Sequence, residues 1–411
     1  NNTMAKNALR VLGVAYADVT SLSKSNEENL TFAGLIGIMD PPRPEVKDAV
    51  RTCKKAGIKP VMITGDHIET AIAVAKEIGI MGKNDKAITG LELDSISDAE
   101  LTKNIYSYAV FARVTPKHKV RIVEAFQNTG AVVAMTGDGV NDAPALQKAD
   151  IGCAMGITGT DVAKGASDMI LTDDNFATIV EAVKHGRGIF DNIKKSVHFL
   201  LSSNIGEILT IFTSMLLGWQ TPLIAIQLLW VNLVTDSLPA IALGVDSNDK
   251  DIMERKPVDK KKSLFADGLG LTIFLEGIMI GMLALIAFAC GNIKYDSLIV
   301  GRTMAFCVLS LSQLVHSFNM RSEHSVFKIG IFGNKFIVLS FIICSIMQIA
   351  VVMTPALSAL FKVTPLTIEQ WEVVAVLSLL PLAVVEAVKF LSSATNKKAL
   401  HLVPKSDIIA K

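Results

Sequence analysis

The sequence predicts an α/β domain built on a doubly wound parallel sheet, followed by an α-helical bundle of six membrane spans. Three observations carry that reading. Between residues 34 and 176, short apolar runs alternate with amphipathic stretches, the pattern of strands joined by crossover helices. Six apolar stretches follow at about 197–217, 222–243, 269–290, 300–319, 335–354 and 371–391, each near the roughly 20 residues a helix needs to cross the hydrocarbon core. The 411 residues are 50% hydrophobic with mean hydropathy +0.44, too apolar for a water-soluble enzyme of this length.

Composition removes several function classes. A net charge of +1, with no long block of like charge, gives no reason to expect a nucleic-acid partner. Cys53, Cys153, Cys290, Cys307 and Cys344 are scattered without CxxC spacing, which argues against a disulfide framework or a zinc site. They read as reduced core or lipid-facing residues. An N-terminal signal peptide is not expected in this stretch, which reads as an internal fragment.

Taken in order, residues 1–33 form a polar lead-in containing a strand-like Gly13–Tyr16. Arg10 within it reads, on its own, as a solvated side chain. The alternation then runs Leu35–Met39, a helix from Pro44 to Ala56, Val61–Ile63, a helix from Ile68 to Ile78, Ala109–Ala112, a helix from Pro116 to Asn128, and Ala131–Met135. Polar motifs follow several strands: Asp40 to Arg43, Thr64-Gly65-Asp66, Arg113 to Lys119, and Thr136-Gly137-Asp138. In such sheets ligands bind beyond the carboxyl ends of the strands. Asp40 and Arg43 read equally as a helix cap with its first-turn partner.

The stretch AVVAMTGDGVNDAPAL, Ala131 to Leu146, organises the domain. Gly137 and Gly139 let the backbone turn while Asp138, Asn141 and Asp142 face the end of the strand. Two carboxylates and an amide suit Mg²⁺ bridging to phosphate oxygens, and a plain Asp/Asn/Gly turn is the alternative. The converging hydroxyl, amide, lysine and carboxylate groups are what phosphoryl transfer requires. Only one of Lys117 and Lys119 is expected to point inward. Asp161, Asp173 and Asp174 read as caps and turn residues.

In the second half, the helical pattern from Ala177 through Lys195 has no break before the first span. Lys250, Arg255, Lys256 and Lys260 to Lys262 follow the second span, Arg321 and Lys328 the fourth, Lys397 and Lys398 the sixth, which places those loops in the cytosol. Asn204 and Glu207 share one face of the first span; Asn232, Thr235 and Asp236 share a face of the second. Carboxylates at such depth default to a functional site, with an interhelical hydrogen-bond cluster as the alternative. Gly206 and Pro239 are expected to loosen these helices and free carbonyls, completing an oxygen cage suited to Ca²⁺. Glu276 and Glu386 belong to no polar cluster in the sequence and read as structural or interfacial.

TGDGVNDAPAL resembles the hinge motif of P-type ATPases, cation pumps that run on an aspartyl-phosphate intermediate, and the resemblance covers nearly the whole chain. The DKTGT string carrying the family's nucleophilic aspartate does not occur here. The chain is therefore expected to be the C-terminal portion of a pump, inactive alone, to be completed by the actuator domain, the nucleotide domain and the first four membrane helices. The resemblance implies a haloacid-dehalogenase-like phosphorylation domain at 34–176, preceded by the end of a nucleotide domain (1–33). It is followed by a stalk helix (177–196), a transmembrane domain (197–395) and a cytosolic tail (396–411). By motif match, Thr64 and Gly65 hold the phosphoryl group, Asp66 stands near the nucleotide, Lys119 neutralises phosphoryl charge, Asp138 binds Mg²⁺, and Asn141 and Asp142 support that site. Arg10 becomes a candidate nucleotide contact, and Asp40 and Arg43 are further candidates for binding ATP.

The strings Asn204-Ile205-Gly206-Glu207 and Asn232-Leu233-Val234-Thr235-Asp236 resemble the calcium-transporting branch, reticulum-type pumps and their bacterial relatives. Gln313 stands where two-site calcium pumps carry a glutamate, which weakens one cation site. The implied activity is ATP-driven Ca²⁺ export with proton counter-transport, in the lipid bilayer of a bacterial plasma membrane. The α/β domain and C-terminus would be cytosolic. Mn²⁺ as cargo, a membrane-anchored phosphatase and a non-enzymatic partner chain are the competing readings.

Overall fold

The computed structural model describes residues 3–4, 9–18, 30–39, 41–260, 262–266 and 268–402, apart from the side chains of residues 10, 39 and 392–402. Asp40 and the side chain of Arg10 therefore lie outside the described residues. By internal packing the chain divides into two units, one within 1–185 and 250–262, the other within 186–249 and 263–411.

In the first unit, β1 (Leu9–Tyr16) and β2 (Thr31–Met39) pair antiparallel, Leu9 opposite Met39 and Tyr16 opposite Thr31. The sequence reading makes Leu35–Met39 the first strand of the parallel sheet. Instead it is half of a longer hairpin strand, because apolar content marks a strand without naming its partner. Six further strands follow: β3 (Met62–Thr64), β4 (Lys86–Thr89), β5 (Tyr108–Ala112), β6 (Ala134–Gly137), β7 (Ile151–Met155) and β8 (Met169–Leu171). They form two parallel three-stranded sheets, ordered β3-β5-β4 and β6-β7-β8.

Between strands, helices have recognisable stops and starts. The helix Pro44–Lys55 has proline in its first turn, Glu45 beside it and Lys54 and Lys55 at the end, which matches the helix dipole. Thr115 caps Pro116–Asn128 through a capping box, its hydroxyl accepting from the His118 N–H while His118 Nδ1 accepts from the Thr115 N–H. β6 starts at Ala134 rather than Ala131, because the Val133 N–H donates to Asp150 Oδ2 at 2.9 Å. β5 is buried from Ala109 to Ala112, whereas every residue of β3 is half-buried. Ile63 of β3 nevertheless packs on the core formed by Val123, Met135, Leu146 and Ala154. Among the described residues, β3 and β6 thus each end a sheet with an unpaired edge above a shared core.

Among the described residues, six helices are long and apolar enough to cross a membrane. The first belongs to one unbroken 41-residue helix, Phe176–Leu216. The others are Ala225–Gly244, Leu269–Lys294, Leu298–Asn319, Lys335–Met353 and Ile368–Leu391. The last continues as helix to Leu402, into the stretch read as a tail. The fourth span is the most enclosed, and the others turn Leu, Ile, Val and Phe outward, as lipid contact requires.

Gly206 does not loosen the first span. The helix passes through it without interruption; a Cβ there would lie 2.9 Å from Ile280 Cγ2 of the third span. Gly277 and Gly281 repeat the arrangement from the other side, with Cβ positions 2.5 Å from Ile205 Cγ2 and 2.9 Å from the Gly206 carbonyl. Small residues four apart let two membrane helices approach backbone to backbone. Replacing Gly277 with Leu is expected to destabilise the protein by about 1–3 kcal/mol through overpacking, read as a lower thermal midpoint of the purified full-length protein.

At one end of the bundle, Arg321 and Asp246 are each 3% exposed in their side chains and form an ion pair. Arg321 Nη1 also donates to the Gly330 and Ile331 carbonyls, at 2.7 and 3.3 Å. Asn192 donates to the Asp246 carbonyl at 2.7 Å, and Lys195 lies 3.7 Å from its carboxylate. This clasp ties the segment after the second span to the segment after the fourth and to the first helix. Arg321 entered the sequence reading only as a loop charge.

Candidate active site and cation cage

In the α/β unit, Thr64-Gly65-Asp66 leaves the carboxyl end of β3. The Thr64 hydroxyl donates to Asp66 Oδ2 at 3.0 Å and accepts from the Asp66 N–H at 3.1 Å. Asp66 and Gly65 are exposed, and a Cβ on Gly65 would meet nothing within 4 Å. The loop is latched from β5: the Arg113 N–H donates to the Asp66 carbonyl and the Val114 N–H to that of Thr64, at 3.2 and 3.4 Å. Arg113 adopts a left-handed conformation, φ 51°, uncommon for a residue with a side chain. Its role as a backbone latch was not readable from the sequence.

At the end of β6, Asp142 is buried and fully engaged. One oxygen meets Lys119 Nζ; the other accepts from the Asp138 and Gly139 N–H groups, each at 3.2 Å. A Cβ on Gly137 would overlap the Asp142 side chain, so glycine is required there by contact. Two carboxylates were expected at this loop as ligands for a cation. Only Asp138 is placed for that, since Asp142 spends its oxygens holding the loop and the lysine. Asp138 and Asn141 are exposed, and the Asp138 carboxylate takes no part in those loop bonds. An exposed, uncommitted carboxylate beside a lysine and backbone donors fits Mg²⁺, which keeps several waters and takes one or two protein carboxylates.

Lys117 is exposed, whereas Lys119 is turned in to Asp142. The helix period explains the split, since positions two apart lie on opposite sides. Arg43 is exposed, with Nη1 donating to the Asp173 carbonyl at 3.3 Å. Its partner follows the carboxyl end of β8, and no hydrogen bond or ion pair joins Arg43 to Thr64 or Asp138 among the described residues. Asp161 begins a short helix capped by Thr160. Asp174 accepts from the N–H groups of Ile157 and Thr158 at 2.9 and 2.8 Å. Desolvation opposes its charge, but these bonds prevail and hold its pKa at about 2. Burial pushes the Cys153 thiol up to about 11, an unreactive thiol.

In the helical unit, Asn232 Nδ2 donates to Glu207 Oε2 at 2.9 Å, joining the first and second spans. Glu207 Oε1 and both oxygens of Asp236 are buried without a partner among the described residues. Gln313 of the fourth span is fully buried with its amide turned to Glu207, though among the described residues neither amide atom meets a partner at full hydrogen-bond geometry. Thr235 is buried with its hydroxyl donating to the Val231 carbonyl at 3.1 Å, and Asn204 donates to the Leu200 carbonyl at 2.8 Å. These two residues satisfy their donors within their own helices, leaving their side-chain oxygens free to accept a cation.

The second span widens to a π-helix over Val231–Thr235, and the Asp236 N–H donates to the Val231 carbonyl five residues back at 2.9 Å. Pro239 explains it: its ring has no N–H for the Thr235 carbonyl and crowds it, so the turn before it opens. Of the two residues expected to loosen the helices, Pro239 is the one that does. Among residues the sequence did not single out, Cys344 of the fifth span donates to the Val234 carbonyl at 3.6 Å and Ser237 to that of Asn232 at 3.1 Å. Glu276 and Glu386, read as lying outside polar clusters, each sit in one. Glu276 is bonded to His198 at 2.5 Å with His316 at 3.4 Å, and Glu386 accepts from Ser325 and the Val326 N–H.

Residues 7–150 match the haloacid dehalogenase-like hydrolase family and residues 220–391 match the C-terminal region of cation-transporting ATPases. The chain belongs to the cation-transporting P-type ATPase family. It is 53% identical over 406 residues to calcium-transporting ATPase 1 of Bacillus cereus, covering 94% of this chain and 46% of that protein. A calcium-transporting ATPase of Bacillus subtilis is 47% identical, covering 92% and 43%. An endoplasmic reticulum calcium ATPase of Aspergillus fumigatus is 37% identical, covering 89% and 41%. The chain thus spans less than half the length of these relatives. Asp66, Asp138 and Asp142 fall inside the first matched region and Asp236 inside the second, whereas β7, β8 and Glu207 lie between the two.

Proposed function

We propose that the chain is the C-terminal part of an ATP-driven pump that moves Ca²⁺ out of the cytosol through an aspartyl-phosphate intermediate, with protons returning on the same carboxylates. The observation that carries this reading is the set of three unpaired, buried carboxylate oxygens on Glu207 and Asp236. Carboxylates without partners at membrane depth are strongly unfavourable unless a cation or a proton joins them. Oxygen ligands at 2.3–2.6 Å are what Ca²⁺ takes, on the order of six to eight of them. Asn232, Thr235, Asn204 and the opened π-turn supply neutral oxygens around the two charges. Gln313 adds an amide and no charge, so two carboxylates balance one Ca²⁺ per cycle. The membrane is a bacterial plasma membrane on this reading, since relatives in Bacillus match over most of the chain.

In the α/β unit, Thr64 and the Gly65 N–H would bind the transferred phosphoryl oxygens, and Lys119, positioned by Asp142, would offset their charge. Asp138 would hold Mg²⁺, which supplies further charge neutralisation on the phosphoryl group when bound. Asp66, exposed beside Thr64, would face the nucleotide, with Arg10, Asp40 and Arg43 as remoter candidates for ATP. The nucleophilic aspartate would come from the rest of the same polypeptide. A strand leading to it would fit between the open edges of β3 and β6, over the core that Ile63 and Met135 share. The continuous Phe176–Leu216 helix would carry the change to Glu207.

A membrane-anchored phosphatase would keep the sheet site and leave the buried carboxylates unexplained. The test is ATP-driven ⁴⁵Ca²⁺ uptake into vesicles holding the full-length protein, alongside Mn²⁺ competition and a Gln313→Glu variant. Uptake that Mn²⁺ displaces only weakly supports the reading. Phosphate release without ion uptake would replace it with the phosphatase.

A further inference from the structure

His198 of the first span, Glu276 of the third and His316 of the fourth meet away from the Ca²⁺ cage. His198 Nε2 lies 2.5 Å and His316 Nε2 3.4 Å from the same carboxylate oxygen, Oε2 of Glu276. The side chains are 15%, 11% and 0% exposed respectively. We propose that these three residues form a proton-binding site separate from the Ca²⁺ cage, taking up one proton on His198, with its occupancy linked to Ca²⁺ affinity.

The assignment of the proton follows from the hydrogen bonds. Asn319 Nδ2 donates to the Pro381 carbonyl at 3.0 Å, an acceptor only, which fixes which end of the amide is nitrogen. The same nitrogen lies 3.3 Å from His316 Nδ1, so that ring nitrogen is the acceptor. A neutral His316 therefore carries its hydrogen on Nε2, toward Glu276. His198 can also donate from Nε2. With both imidazoles neutral the cluster holds one uncompensated negative charge inside the bundle. One added proton on His198 makes it neutral, the state a low-dielectric interior favours. An imidazole is the side chain suited to exchange that proton near neutral pH.

The surrounding charges do not already balance Glu276. Lys389 of the sixth helix has a minor electrostatic interaction with it. Its ammonium is committed, 3.6 Å from Glu386 and donating to the Asn319 and Ser322 carbonyls at 2.7 and 2.8 Å. On the first helix, Lys195 is paired with Asp246. Linkage to Ca²⁺ has a physical route: Glu276 adjoins Gly277, which packs on Ser202 and Ile205 of the helix that bears Glu207. Protonation changes how tightly the first and third spans are held, and reciprocity requires Ca²⁺ to change proton affinity in turn.

The linkage rests on the Ca²⁺-transport reading; the proton site does not, so two measurements separate them. ¹⁵N-histidine spectra of the full-length protein in nanodiscs, assigned with His198→Gln and His316→Gln, report imidazole protonation without any transport. Expected is uptake of a proton by His198 as the pH is lowered, while His316 keeps its Nε2 hydrogen. Titration of His316 first, or of neither ring, overturns the site. In Glu276→Gln, the pH dependence of apparent Ca²⁺ affinity is expected to weaken by up to about tenfold per pH unit, the limit for one linked proton. An unchanged pH profile in a folded, active Glu276→Gln protein overturns the linkage.

Discussion

Asp236→Asn will abolish Ca²⁺-dependent uptake while leaving phosphorylation by inorganic phosphate in place. Asp236 is completely buried and both its oxygens lack partners, so it contributes nothing to holding the helices together that Asn cannot supply. On the proposed reading, what Asn removes is one of the two charges that would face the cargo. Removing one member of a buried charge pair weakens binding by about 2–5 kcal/mol, which at 1.4 kcal/mol per factor of ten raises the Ca²⁺ dissociation constant by about 30-fold to a few thousand-fold. The same change relieves an unpaired buried carboxylate, so the Ca²⁺-free variant should melt no lower than the parent. Lower stability together with normal Ca²⁺ affinity would make Asp236 a packing residue. Equilibrium ⁴⁵Ca²⁺ binding and a thermal melt on one preparation decide between them.

Arg321→Ala should be the most destabilising single change in the helical unit. It leaves the buried Asp246 with Lys195 at 3.7 Å as its remaining cation and takes one donor from each of the Gly330 and Ile331 carbonyls. Breaking such a pair by truncating one partner is worth about 3–5 kcal/mol. Arg321→Lys should recover part of this, since an ammonium restores charge but not a fork that reaches a carboxylate and two carbonyls together. The thermal midpoints of the purified full-length variants give the order: parent above Arg321→Lys, and Arg321→Ala lowest. Equal midpoints would show that the clasp contributes nothing.

The sequence was most legible where one period governed one environment. Pro116–Asn128 is found at its expected bounds because Thr115-Pro116 starts it and a helical stripe carries it. The spans stand out because lipid demands about 20 apolar residues in a row. The stretch from 79 to 108 was silent: β4 has four residues and the helices Gly90–Asp94 and Asp98–Asn104 have five and seven, too short for periodicity to register. Pairing was less legible still, since Leu35–Met39 reads the same whether its neighbour is parallel or antiparallel.

At the sites, residue type indicated chemistry but not who binds whom. Asp138 and Asp142 look equivalent in GDGVND, yet Asp142 turns under Gly137 to hold Lys119 and Asp138 does not. Asn204, Glu207, Asn232, Thr235 and Asp236 could be grouped by helix spacing, and Glu207 and Asn232 do bond across two spans. His198, Glu276 and His316 come from three helices, 78 and 40 positions apart in the chain, and no local pattern links them.

The most direct measurement is a cryo-EM map of the full-length protein with Ca²⁺, beside one with chelator. The account predicts Ca²⁺-dependent density in contact with both Glu207 Oε1 and an Asp236 carboxylate oxygen, at about 2.3–2.6 Å. Density elsewhere, with those two carboxylates unchanged between the maps, would contradict it.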